Sequence, residues 1–322
     1  MSAARVSVLF HRQPTDPREL VPFAELVREG AAERLWFGQS LQVEGHHAAA
    51  WLAGAGLHVP IGIGVALTAL RHPVDAALQA RSVARLMERA PVIGYGAAHP
   101  GFVTSVLGAP YARPAALVAE YAGIVRRLVR GEHVEHDGPH FRLRHGLPKL
   151  DAPVPEIGAG VLRPGMGRAA GGVVDTAISW LAPAGYLADV VRPALAEGAR
   201  AAGRAEPPRV VAVVHTAVAR PGRNPLLLAQ AGAGAHLTAP HYCDMLRRAG
   251  LDVHHSDPAS GARELVDEGV FVYGKPGDIA AALHRYHAAG VDEVVLNTLS
   301  VDICHGREDA LTDLREICAA MS

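Results

Sequence analysis

Eight short apolar runs recur along the 322 residues, separated by longer stretches with helical spacing. The runs are RVSVLF (5–10), RLWFG (34–38), VPIGIGV (59–65), PVIGY (91–95), VPEIGA (154–159), VDTAIS (174–179), RVVAVVHTAVA (209–219) and EVVLNT (293–298). Most are apolar at nearly every position. A strand covered on one face alternates; a parallel strand covered on both faces does not. The intervening segments carry helix starts. DPRELVPFAELVREG offers Asp16 as a cap and Pro17 in the first turn, and Pro73 and Pro276 stand at the heads of two further helical patterns. Gly131 and Gly290 close two of them. Eight strands alternating with helices over this length predict a (β/α)8 TIM barrel, with an open doubly wound sheet as the runner-up. One domain over 1–322 is expected. It carries two excursions, a small hairpin near 131–153 and a longer mixed segment near 224–272 in which HLTAPHYCDMLRRAGL reads as a helix.

Charge and composition exclude several classes. The formal net charge is -1, so nothing draws the chain electrostatically to nucleic acid or an anionic membrane. No run reaches the ~18 apolar residues of a spanning helix, and MSAARVSVLF lacks the apolar core of a leader peptide. Cys243, Cys304 and Cys318 are scattered, without CxxC spacing. Together these features lead us to expect a cytoplasmic protein with reduced thiols. The histidine pairs at 46–47 and 254–255 lack a further ligand at metal spacing, so no metal is expected. GGVVD at 171–175 precedes a strand and lacks GxGxxG, which removes a Rossmann reading.

Barrels of this kind place their sites at the C-terminal ends of the strands. The informative residues are therefore His11 and Gln13 after strand one, Gln39 and Ser40 after strand two, and Gly64, Val65 and Leu67 at strand three. Ala97, Ala98 and His99 follow strand four, Gly160 and Leu162 strand five, Trp180 strand six, and Asn297 or Thr298 strand eight. The set is poor in carboxylates, and it contains no GxSxG elbow, HExxH helix or glycosidase-type acid pair. Small residues instead leave room for a flat, bulky ligand against the backbone. That pattern points to a cofactor that brings its own chemistry.

Six segments, in order along nearly the whole chain, resemble the bacterial luciferase-like superfamily of flavin and deazaflavin oxidoreductases. They are RLWFGQS, GVALTALRHPVDAALQA, VIGYGAAHPGF, EYAGIVRRLVRGEHVEHDGPHFRL, IGAGVLRPGMGRAAGGVVDTAISW and GKPGDIAAALHRYHAAGVDEVVL. WFGQ and the stretch from GAGVLRPGM onward resemble the branch that uses coenzyme F420. The resemblance implies a cofactor ring over the strand ends and a non-proline cis peptide after strand three, where this chain has Gly64-Val65. It also implies a phosphate tail against the loops after strands four and five, here Ala97-Ala98 and Gly160-Val161-Leu162.

The chain departs from the family's sugar-phosphate dehydrogenases. Those have an acidic residue and a histidine after strand two and a glutamate after strand four. Here the positions read Gln39, Ser40 and His99. An amide cannot serve as a general base, so the pattern tilts toward a reductase that delivers hydride to an activated C=C or C=N bond. A small molecule, a natural-product intermediate or a dehydroamino acid in a modified peptide would be the substrate. His99 is the candidate proton donor, or else a loop anchor. Gln39 is the candidate orienting residue and a candidate cofactor contact, through hydrogen bonds to the ring or hydroxyls, or else it caps a turn; His11, Gln13 and Trp180 form the substrate rim. The alternatives are an FMN-dependent monooxygenase of the same superfamily and a cofactor-binding barrel without catalysis. A homodimer is compatible with either.

Overall fold

The computed structural model describes residues 6–321. Eleven strands occur among them: β1 (Val6–Phe10), β2 (Leu35–Phe37), β3 (Ile61–Leu67), β4 (Val92–Gly96), β5 (Val134–Asp137), β6 (Arg142–His145), β7 (Glu156–Gly160), β8 (Thr176–Trp180), β9 (Arg209–Val218), β10 (Val272–Gly274) and β11 (Glu293–Asn297). Arg5, which the sequence places in the first strand, lies outside the described residues. Parallel pairing runs β1–β2–β3–β4–β7–β8–β9–β11 and returns from β11 to β1, with β8–β9 completing the ring. The ring is a closed (β/α)8 barrel, and the open sheet is excluded.

Each strand run fell within two residues of its expected bounds. The largest shift is in the third strand, expected over 59–65 and found at Ile61–Leu67. Pro60 stands just outside, and its carbonyl accepts from Leu35 N at the edge of the ladder. The first excursion is an antiparallel hairpin, β5 with β6. The second departs from the expected reading. HLTAPHYCDMLRRAGL is not one helix: one helix ends at Leu237 and another runs Pro240–Arg248. Pro240 has no N–H to donate, and it holds Ala239 in an extended conformation (φ -92, ψ 118), which breaks the helix there. The helix Pro225–Leu237 and the short β10, which pairs with the upper end of β9, were not foreseen.

Two apolar layers hold the barrel. One lies between strands and helices. The other fills the interior with Leu9, Trp36, Val92, Ile178, Val211, Val213 and Val295, capped toward the C-terminal end by Val65 and Trp180. The opposite end is plugged by Glu293, which is 2% exposed and accepts from Ser7 Oγ at 2.6 Å and Trp36 Nε1 at 2.7 Å. Bulky interior residues require bare neighbours. A Cβ at Gly94 would collide with the tip of Ile178, and one at Gly96 would stand 2.6 Å from Val65 Cγ2. The lack of side chains at Gly94 and Gly96 therefore has a cause inside the barrel. Val65 and Ile178 occupy the space, and a ligand is not needed to explain these glycines.

Candidate cofactor and active site

The C-terminal end of the barrel has two unlike halves. Over β3, β4 and β7 the strand ends are small and half-exposed: Gly64, Val65, Ala97, Ala98 and Gly160. The peptide between Gly64 and Val65 is cis, and no other non-proline cis bond occurs among the described residues. Ala98 takes a left-handed conformation (φ 67), which turns the chain sharply from β4 into the helix Pro100–Leu107.

Beside this half lies a cavity of about 510 Å³. Ala97, Ala98, Gly160 and Leu162 form its floor, Val103 and Tyr111 one side, and Arg163, Met166, His241 and Arg248 the other. Three helices begin at its wall: Pro100–Leu107, Pro114–Val129 and Pro164–Gly171. Each starts with proline, whose missing N–H costs nothing in a first turn. Their first turns all border this one space and, apart from Gly101 N, which His99 Nδ1 caps, their N–H groups and dipoles suit it to a phosphate. A Cβ at Gly165 would meet no protein atom within 4 Å, so this wall is backbone facing open volume. A larger hollow of about 670 Å³ lies at the other end of the barrel, beside Pro208–Val210 and Asp292. Barrel chemistry is not found there.

The other half, over β8, β9 and β11, is aromatic and polar. Trp180 stacks on His236 (centroids 5.7 Å, 23°) and meets His215 edge-on at 6.2 Å. His236 belongs to the helix Pro225–Leu237, which lies across these strand ends. Asn297 Nδ2 donates to His215 Nε2 at 3.3 Å, so the neutral ring carries its proton on Nδ1, where it has no protein partner. Trp180 Nε1 and Ser300 Oγ are also buried without a protein partner. Burial, then the neighbouring His236 and His11, pushes His215 down to about 3. Burial, then His241, pushes His236 down to about 4. Both rings are neutral near pH 7.

Of the sequence-derived residues, Ala97, Ala98, Gly160 and Leu162 meet in the cavity. Val161 does not; it is 1% exposed and packs into the outer core. His99 is exposed at the cavity rim, with its ring 6.4 Å from that of His241. Its Nδ1 accepts from Gly101 N at 3.1 Å and caps the helix Pro100–Leu107. Gln39 spans two strand ends, donating to Ser40 O at 2.7 Å and accepting from Leu67 N at 3.4 Å. Gln13 is exposed and accepts from Leu41 N, which pins the loop after β2. His11 Nε2 donates to Asp302 Oδ2 at 2.8 Å, and Arg12 Nε donates to the same oxygen. Burial alone would raise the Asp302 carboxyl, but these two bonds outweigh it and hold it at about 2. Sequence reasoning missed Tyr111, Arg163, Met166, His241 and Arg248. Only Arg163, directly after the strand-five loop, carried a positional signal. Among the described residues no group of three His, Cys, Asp or Glu is arranged for a metal ion, and no helix is long and apolar enough to cross a membrane.

A closed parallel barrel whose cavity lies at the C-terminal strand ends, beside a bare, half-exposed strand edge, is the frame of a barrel enzyme. The family model described as luciferase-like monooxygenase matches residues 1–293, and the chain belongs to that family of oxidoreductases. No curated protein matches the sequence. Solved structures share the fold at low identity. The coenzyme F420-dependent tetrahydromethanopterin reductase of Methanopyrus kandleri is 16% identical with a TM-score of 0.73, over 99% of this chain and 98% of that one. An F420-dependent secondary alcohol dehydrogenase, solved with an F420–acetone adduct, is 17% identical with a TM-score of 0.72, over 99% of each chain. The oxygenating constituent of 3,6-diketocamphane monooxygenase from Pseudomonas putida, solved with FMN, is 16% identical with a TM-score of 0.68, over 99% and 98%.

Proposed function

We propose that this protein is an F420-dependent reductase of an activated C=C or C=N bond in a small molecule or natural-product intermediate. The observation that carries the reading is the pairing of a bare strand edge with a cavity walled by three helix N-termini. The residues fit a phosphorylated, flat-ringed cofactor. The N-terminal turns at Pro100, Pro114 and Pro164 would hold the phosphate, and Ala97, Ala98 and Gly160 would admit the chain that links phosphate to ring. Bound in its reduced form, F420 supplies a hydride. The F420-dependent reductase and dehydrogenase with the same fold support this choice of cofactor.

The protein's own groups favour reduction over alcohol oxidation. A carboxylate base for removing a hydroxyl proton is not offered at these strand ends: Gln39 is an amide, and the carboxylate of Asp302 is already engaged by His11 and Arg12. Trp180 and His236 form an apolar, π-faced wall on which an unsaturated acceptor can lie. Helix Pro225–Leu237 supplies His236 to that wall and screens its far side from water. His99 Nε2 faces the rim, and His11 is fixed by Asp302; these are the imidazoles from which the second hydrogen, a proton, can come.

Fluorescence titration of the purified protein with F420 and with FMN tests the cofactor. We expect tighter F420 binding, and hydride transfer from reduced F420 to an electron-poor alkene without oxygen. Equal or tighter FMN binding, with oxygen-dependent turnover, would overturn the reading in favour of a monooxygenase.

A further inference from the structure

The cavity does not end where a phosphate would sit. Its lining also includes His241 and two half-exposed arginines, Arg163 and Arg248, which give it a solvent-facing edge. The two arginines come from distant segments. Arg163 precedes the helix Pro164–Gly171, and Arg248 ends the helix Pro240–Arg248 in the second excursion. Both reach a single oxygen of Asp244, Arg248 Nε at 3.1 Å and Arg163 Nη1 at 3.4 Å. Their side chains remain 54% and 51% exposed. One carboxylate oxygen thus fixes two guanidinium groups, and a net positive charge is left over.

Each guanidinium has five N–H donors, and one bond to Asp244 leaves most of them free. The hydrogen bond from Arg248, with that from Arg163, holds the Asp244 carboxyl below the usual range, so the brace stays ionised through neutral and mildly acidic pH. His241 adds no charge: burial, then Arg163 and His99, lowers it. The outer edge is therefore cationic through two pre-positioned forks. A flavin mononucleotide ends at its phosphate, which three helix N-termini already accommodate. It would leave both forks facing water. A cofactor whose phosphate is a diester, continuing through a lactyl link to glutamyl carboxylates, would carry those carboxylates to the free donors of these two arginines.

We propose that Arg163 and Arg248, braced by Asp244, bind the carboxylates of a tail extending past the phosphate, and so make the site selective for an oligoglutamyl deazaflavin over cofactors ending in a monophosphate. The proposal rests on the F420 reading above and adds the residues that discriminate tail length. It also gives the outward face of the helix carrying Asp244 and Arg248 a role, while the inward face, Cys243, Met245 and Leu246, packs into the core.

The test compares two ligands with the same ring: F420 carrying several glutamates, and its deazaflavin 5′-phosphate obtained by cleaving the diester. Dissociation constants are measured by fluorescence for wild type, Arg163→Gln, Arg248→Gln and the double variant, at low and high salt. Each single substitution should weaken the long-tailed ligand by roughly 2- to 5-fold, as expected for half-exposed charge pairs. The 5′-phosphate should change by less than about two-fold, and high salt should shrink the difference. Arg248→Lys should recover part of the loss. Equal losses on both ligands would mean that the arginines serve the phosphate or merely hold the helix, and no loss on either would mean that they face solvent; both results overturn the proposal. Ring preference is read separately, from wild-type binding of the 5′-phosphate against FMN. If FMN wins there, the F420 reading fails while the tail comparison still decides the arginines. If neither deazaflavin binds, both fail.

Discussion

Acid should destabilise this protein above the range in which carboxylates titrate, and the cause is the pair His215 and His236. His215 is fully buried, and its charged form would face Trp180, His236, His11, Asn297 and Phe271, none of which is an anion. His236 is stacked on Trp180 and edge-on to Tyr242 at 4.7 Å. In the folded state the two titrate at about 3 and about 4, against 6.5 for an unburied imidazole. The folded values are depressed, so above pH 6.5 neither state binds the proton and stability is at its full level. As pH falls through 6.5 the unfolded chain gains protons that the folded chain refuses, and stability drops until the folded values are reached. At pH 5 each ring contributes a loss of about 2 kcal/mol, or about 4 together, which is a large share of the about 5–15 kcal/mol that holds a typical domain.

Three carboxylates held at about 2, Glu19, Glu44 and Asp302, act in the same direction but only below pH ~4.5, where their unfolded forms begin to protonate. The window from pH 6.5 to 5 therefore belongs to the imidazoles, with His241 adding to it. Urea unfolding midpoints at pH 7.5, 6.5, 5.5 and 5.0 measure the slope. His236→Phe keeps the stacking on Trp180 and removes one titration, so it should halve the slope in that window. If wild type and His236→Phe lose stability in parallel between pH 6.5 and 5, or neither loses any, the buried-imidazole argument is refuted.

Replacing His99 with alanine removes the cap on Gly101 N and should cost about 0.5–2 kcal/mol of stability, read from thermal melts. Turnover at saturating cofactor should stay within a few-fold; a fall of roughly 10²–10⁴ with unchanged affinity would instead make His99 the proton donor. Ala98→Leu should abolish cofactor binding with little change in melting temperature, since its side chain enters the cavity and not the core. Gly96→Ala should cost about 1–3 kcal/mol by driving a methyl against Val65 Cγ2, and Val65→Ala in the same chain should relieve much of that loss in chemical denaturation.

The barrel was legible because burial on both faces writes each parallel strand as an apolar run, and prolines punctuate the helices between. The bare edge at Ala97-Ala98 and Gly160 was legible for the same reason: it immediately follows such runs. Two things were not. The glycines at 94 and 96 reflect the bulk of Ile178 and Val65, and nothing local reports which side chains meet across a closed barrel. Part of the cavity lining comes from His241 and Arg248, 78 residues and more beyond Arg163, on a helix whose charged face reads in sequence as an ordinary solvated surface.

That distance has a physical consequence for how the site is assembled. The floor of the cavity is made by β4 and β7, neighbours in the ring, whose register is fixed by direct pairing from Val92 with Glu156 to Tyr95 with Ala159. Its outer edge comes instead from a helix that seats Cys243, Met245 and Leu246 in the outer core and turns Asp244 and Arg248 outward, toward Arg163. Ladder hydrogen bonds inside a barrel and buried apolar side chains open only with large-scale unfolding, whereas an exposed salt bridge can part locally. On the F420 reading, the floor that would receive ring and phosphate is rigid, and the half-exposed side chains of Arg163 and Arg248 are the adjustable part. A long cofactor could then be gripped by side-chain movement alone, without any rearrangement of the strands.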